Sequence, residues 1–180
     1  DALYEHFAAG RPTSHPIPTK HVGVLEGEYA NWFLVDTLVR PGISRGEIGW
    51  DQLNWLMKEL DKRDDKPAIV MAHHNPQLTK PKPDGHFMGI WDTDAFLTAL
   101  TNRPHVRALM FGHTHQWHPS KFGNLHLINL PAVAYVFGKH TPSGWVSARL
   151  NSDTMTLEVH ALDTTHPRHG DKVTISWKAT

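Results

Sequence analysis

Two short stretches hold the residues best suited to chemistry, His73-His74-Asn75-Pro76 and Gly112-His113-Thr114-His115. Neutral imidazole is a good ligand for zinc, iron or manganese-type ions. The chain has no Cys, which excludes disulfides, thiolate nucleophiles and Cys-ligated zinc. A metal site must therefore combine His with Asp, Glu or Asn. With 15 His in 180 residues, about one His-x-His pair arises by chance, so context has to select among them. In His-x-His, an extended backbone is expected to project both rings to one side, so that neighbouring ions each take one nitrogen. Gly112 is expected to let the chain turn tightly just before them.

The elements that must position these rings follow from hydrophobic period. Leu53, Leu56, Met57 and Leu60 fall at i, i+3, i+4 and i+7, which predicts a helix over about 49–63. Ala68–Ala72 is a short, wholly apolar run and reads as a buried strand ending on His73. A second helix is expected over Thr93–Thr101, with Asp92 or Thr93 as its N-cap. Val106–Phe111 is another apolar run, ending on Gly112. If the two strands are parallel neighbours joined by the second helix, both His clusters open at one carboxyl-end mouth, where α/β sheets collect ligands.

Upstream, His21–Glu26 and Trp32–Val39 read as a hairpin, and Trp32–Val35 as a strand covered on both faces. Downstream the helical period vanishes. Leu125–Leu130, Ala132–Phe137, Trp145–Leu150, Met155–Ala161 and Val173–Trp177 are short runs between Gly and Pro, and the last three alternate as an antiparallel sheet with one wet face does. The class is α/β, and residues 1–180 read as one domain. Hydrophobic content of 39%, with 18 basic against 18 acidic residues, suits a soluble globular chain without an electrostatic platform for nucleic acid. No apolar run nears the roughly 18 residues of a membrane span. No compartment is assigned.

Together, Ala68–Pro76 and Phe111–His115 resemble the last two metal motifs of calcineurin-like metallophosphoesterases, an apolar strand ending in a His-His-x-Pro-like turn and then Gly-His-x-His. Val35-Asp36-Thr37 and Gln52-Leu53-Asn54-Trp55-Leu56 fit the upstream pattern, and the branch most resembled is that of the cyclic-AMP phosphodiesterases. The family's Asp-x-His, Gly-Asp and Gly-Asn-His-Asp motifs do not occur here. Asp1 is read as the final residue of the last of these, and the chain as the C-terminal portion of a layered αββα sandwich with mixed and antiparallel sheet.

The resemblance implies that His73 and His113 bind one ion and His115 another, in a centre of two divalent transition metal ions (Fe, Mn or Zn). Such a centre hydrolyses phosphoesters, here phosphodiesters including cyclic nucleotides, by positioning and electrostatics rather than a protein nucleophile. His74 is open between support for a ligand, a phosphate contact and a structural role. Asn75 and His86 are candidates for supporting or substrate contacts, and no residue is assigned an acid–base role. Alone, the chain is expected to bind at most one ion, weakly, and to hydrolyse little. The carboxylates would come from the N-terminal half or a complementary chain. The alternative is a non-catalytic metal-binding or interaction module. The remaining histidines are read as surface or packing residues.

Overall fold

The changes of period along the chain produce nine strands and two helices in a computed structural model that describes residues 16–18, 20–79 and 88–178. In order they are β1 (Gly23–Glu26), β2 (Asn31–Leu34), α1 (Trp50–Asp61), β3 (Ala68–Ala72), α2 (Thr93–Thr101), β4 (Val106–Phe111), β5 (His118–Phe122), β6 (Leu125–Asn129), β7 (Gly144–Leu150), β8 (Thr154–Ala161) and β9 (Lys172–Ser176). No helix among the described residues is long and apolar enough to cross a membrane.

Six strands form one mixed sheet in the order β1-β2-β3-β4-β6-β5. The interior strands β2, β3, β4 and β6 run parallel, and β1 and β5 pair antiparallel at the edges. The register sets Ala72 opposite Phe111, so β3 and β4 end level and their following turns emerge side by side. The N–H of Gly112 accordingly donates to the His73 carbonyl at 3.0 Å.

Strand alternation sends side chains to two cores. Phe33, Val70, Leu109 and Leu127 face the helices, where they meet Leu53, Leu56 and Leu60 of α1 and Phe96 and Leu100 of α2. Ile69, Ala108, Met110 and Ile128 face a second sheet, β7-β8-β9, and pack on Met155, Leu157, Val159 and Ile175. The layers are thus helix, mixed sheet and antiparallel sheet. Each fully buried Leu, Ile or Phe contributes about 1.5–3 kcal/mol of transfer free energy, so both cores are needed to hold the central strands.

Several expectations need correction. The second face of β2 is not fully covered: Trp32 and Met71 are half-buried and border an apolar cleft of about 310 Å³ shared with Met110, Leu130 and Trp145. Ala132–Phe137 is loop rather than strand. Conversely, His118–Phe122 is an edge strand that no apolar alternation announces, and Pro119 is tolerated there because an edge needs fewer ladder bonds. Its signal is the Gly123-Asn124 pair, a two-residue hairpin loop with Gly123 at φ 57°. Asp92 does stand at the N-cap of α2, but its side chain makes no capping bond there. It accepts the N–H groups of Ile48 and Gly49 at 2.9 and 2.8 Å instead, anchoring the start of α1.

Candidate metal centre

The turn after β3 is held from both sides. The His74 ring is buried, and its Nδ1 lies 2.7 Å from the hydroxyl of Thr37, which also accepts the His74 backbone N–H at 3.2 Å. Thr37 is in turn placed by α1. Gln52 accepts the Asp36 N–H at 2.8 Å and donates to the Asp36 and Ile48 carbonyls at 2.9 and 2.8 Å. On the other flank only glycine fits at position 46, because a Cβ there would stand 2.6 Å from Cγ of the His74 ring. Asn75 donates through Nδ2 to the Pro76 carbonyl at 3.0 Å, and its own carbonyl accepts the Ile90 N–H at 2.8 Å.

The turn after β4 differs from the extended form expected of it. The Thr114 N–H donates back to the Gly112 carbonyl at 2.8 Å with His113 at φ 67°. This is a γ-turn of the rare, strained hand. His115 also has a positive φ, 54°, whereas Gly112 does not. The strand continues through Gly112 to bond His73, so the bend falls on the histidines themselves. Asn129 Nδ2 donates to the Thr114 hydroxyl between them, and His115 Nδ1 donates to the Tyr135 carbonyl at 2.8 Å. Strain of this kind persists where surrounding contacts over-determine it, commonly at functional sites.

The two turns bring three rings together. His113 Nδ1 and His73 Nε2 are 3.3 Å apart, and one nitrogen from each of His73, His74 and His113 lies within 4.8 Å of the others. Two imidazole nitrogens bound to one ion at about 2.0–2.1 Å stand about 3.0–3.4 Å apart, so the His73–His113 edge fits a shared cation. Nε2 of His113 is buried without a hydrogen-bond partner among the described residues. Burial, reinforced by the neighbouring His113 and His73, pushes the His74 pKa down to about 4. Burial lowers that of His113 as well, with His73 and His115 adding to it. Both rings are therefore neutral near pH 7, the state that ligates metal. No carboxylate joins this nitrogen group among the described residues.

His115 stands outside that group, close enough to His113 to depress its proton affinity. Its ring is stacked by Phe137 at 4.9 Å and met edge-on by Tyr135 at 4.6 Å. His86 and Asp1 lie outside the described residues. Thr37, Gly46, Asn129, Tyr135 and Phe137 escaped the sequence reading. Thr37 directly follows the Asp of the upstream pattern, which was the available signal for it. Replacing Thr37 with Val removes the partner of two buried His74 groups, so a loss of about 1–3 kcal/mol is expected. Urea unfolding measures it, and an unchanged midpoint would contradict the clamp.

No family model matches the chain. The 3′,5′-cyclic adenosine monophosphate phosphodiesterase CpdA of Escherichia coli is 29% identical over 195 aligned residues, covering 89% of this chain and 69% of that protein. CpdA of Pseudomonas aeruginosa is 28% identical, over 61% of this chain and 40% of its own. In sequence the chain is similar to these cyclic-AMP phosphodiesterases, and its fold is that of the metal-dependent phosphatases. Among solved structures, a dimetal phosphatase from Danio rerio superposes with TM-score 0.57 at 20% identity, covering 74% of this chain and 40% of its own. A purple acid phosphatase from yellow lupin gives 0.54 at 16%, covering 86% and 32%. The chain thus spans less than half the length of each of these two solved structures. The first of the two is named for a pair of metals.

Proposed function

We propose that this chain supplies imidazole ligands to a binuclear metal centre that hydrolyses phosphodiesters, cyclic nucleotides among them. The observation that carries the reading is the meeting of His73 Nε2 and His113 Nδ1 at 3.3 Å, at the level ends of two parallel strands. His73 and His113 would hold one ion and His115 the other. When bound, such ions polarise the phosphoryl group and activate water.

The chain's own residues orient and tune. Donation from His115 Nδ1 to the Tyr135 carbonyl leaves Nε2 as that ring's free lone pair, the usual way a second contact sets a ligand's tautomer. Thr37 and Gly46 hold His74 beside the pair, and its depressed pKa keeps a proton's charge out of the site. Neutral imidazoles supply no negative charge against two divalent ions. The carboxylates are assigned to an N-terminal part or a complementary chain. The cyclic-nucleotide preference is supported by the relatives' names.

Isothermal titration of the 180-residue chain with Mn²⁺ or Zn²⁺ is expected to show at most one weak site. Little hydrolysis of bis(p-nitrophenyl) phosphate should accompany it. Two tight ions with turnover would overturn the assignment of the carboxylates to another segment, and no ion at all would sink the metal centre. One ion, with turnover absent even after a carboxylate-bearing N-terminal half is added, would instead favour a non-catalytic metal-binding module.

A further inference from the structure

The amino ends of the parallel strands, opposite the imidazole turns, gather positive charge. Arg107 and His126 are the second residues of β4 and β6, and the register sets Lys121 of β5 opposite His126. Opposed side chains on paired strands share a face. Ser176 of β9, Lys178 just beyond it and Thr174 come from the second sheet, and together these groups line a cavity of about 170 Å³. No Asp or Glu lines it. Five residues of β4 separate Arg107 from Gly112, roughly 16 Å of extended chain, so this cavity is distinct from the imidazole site.

Arg107 is its unusual member. The residue is only 9% exposed, and a guanidinium stays charged in proteins. Nη2 donates to the Ser176 and Lys178 carbonyls at 3.0 and 3.1 Å, and Nη1 reaches the Pro104 carbonyl at 3.5 Å. Nε is buried with no hydrogen-bond partner among the described residues. A buried charge without a counter-charge is costly, and an unpaired buried donor calls for a ligand, ion or water. His126 lies in the same field: burial lowers its pKa, and Lys121 and Arg107 lower it further. Lysine is ordinary on an edge strand, and Lys178 also meets Asp153 at 3.3 Å. Neither fact accounts for Arg107.

We propose that this cavity is an anion site that takes a tetrahedral oxyanion of the phosphate type, held by the Arg107 guanidinium and the Lys121 ammonium. Ser176 Oγ accepts the Lys178 N–H at 3.2 Å, which leaves its hydroxyl hydrogen to donate to the ion. The cavity is smaller than the roughly 300–1,000 Å³ of sites for drug-sized ligands, so it admits a phosphate group and not a whole nucleotide. A bound ion bridges β4 and β5 to β9, and its occupancy stabilises the chain by mass action. The site uses none of the imidazoles of the two His turns, so it stands or falls apart from the phosphoester reading.

The test titrates inorganic phosphate into the metal-free chain at constant ionic strength. Proton–nitrogen NMR follows the Arg107 Nε–H and His126 ring signals. Both are expected to move and saturate, and the thermal midpoint should rise with phosphate. Lys121→Glu, a change at an exposed edge-strand position, should weaken binding about tenfold or more by placing a carboxylate against the ion. Glycerol 3-phosphate separates the sources: equal binding assigns the site to the terminal phosphate of a larger molecule, and no binding assigns it to the free ion. Four results overturn the proposal. They are no saturable movement, the same movement with chloride alone, unchanged affinity in Lys121→Glu, or movement of the His73 and His113 signals in place of these. If Lys121→Glu does not fold, the Arg107 and His126 signals of the unaltered chain still decide.

Discussion

Replacing His113 with Ala is expected to weaken Zn²⁺ or Mn²⁺ binding by at least about 100-fold, beyond the 10–100-fold that loss of a supporting contact costs. His113 contributes one of the two nitrogens at 3.3 Å, so its removal leaves His73 without a chelating neighbour in that geometry. His73→Ala should have a similar effect from the exposed side of the pair. His118→Ala serves as the control, since His118 is an exposed residue of the edge strand β5. Competition with a chromogenic chelator measures all three. Changes below about threefold at both positions would remove the pair from the site, because loss of a nitrogen that directly holds an ion costs more than that. Loss of fold is checked separately by thermal unfolding, as Ala inherits the positive φ of His113.

The second large effect is a dependence of stability on pH. Burial depresses the His74 pKa from its ordinary 6.5 to about 4 in the folded chain. The unfolded chain therefore takes up the proton first as pH falls. Stability from this group is complete above about pH 6.5, declines between 6.5 and 4, and is flat below, with an upper bound of about 3 kcal/mol. His113 shifts in the same direction for the same reason and steepens the decline. Urea unfolding of the metal-free chain at pH 7.5, 5.5 and 4.5 should show the loss, and His74→Gln should flatten it. Identical slopes for the two proteins would mean that carboxylates elsewhere, not this ring, govern acid sensitivity.

Much of what positions the site was legible in the residues. The Leu53/Leu56/Leu60 period marked α1, the apolar runs marked β3 and β4, and the alternation of Met155, Leu157 and Val159 marked the second sheet. These are local signals, because helix and strand periods are properties of neighbouring residues. The two His turns could be placed at strand ends on the same grounds. What failed locally was also informative. His118–Phe122 pairs through its backbone with little help from its side chains, and Ala132–Phe137 is apolar because two of its rings serve a neighbouring turn rather than a core.

By itself, then, the order of residues determined most of the elements, the helix-then-strand alternation that makes β3 and β4 parallel, and the placing of two imidazole-bearing turns at strand ends. Only the folded chain decided how those turns bend and what holds them. The Thr37–His74 bond joins residues 37 positions apart, and Asp92 anchors α1 from 44 and 43 positions away. The γ-turn at His113 exists because Asn129 and Tyr135 arrive from other segments to secure it. Such contacts depend on strand register and layer packing, which no local window contains.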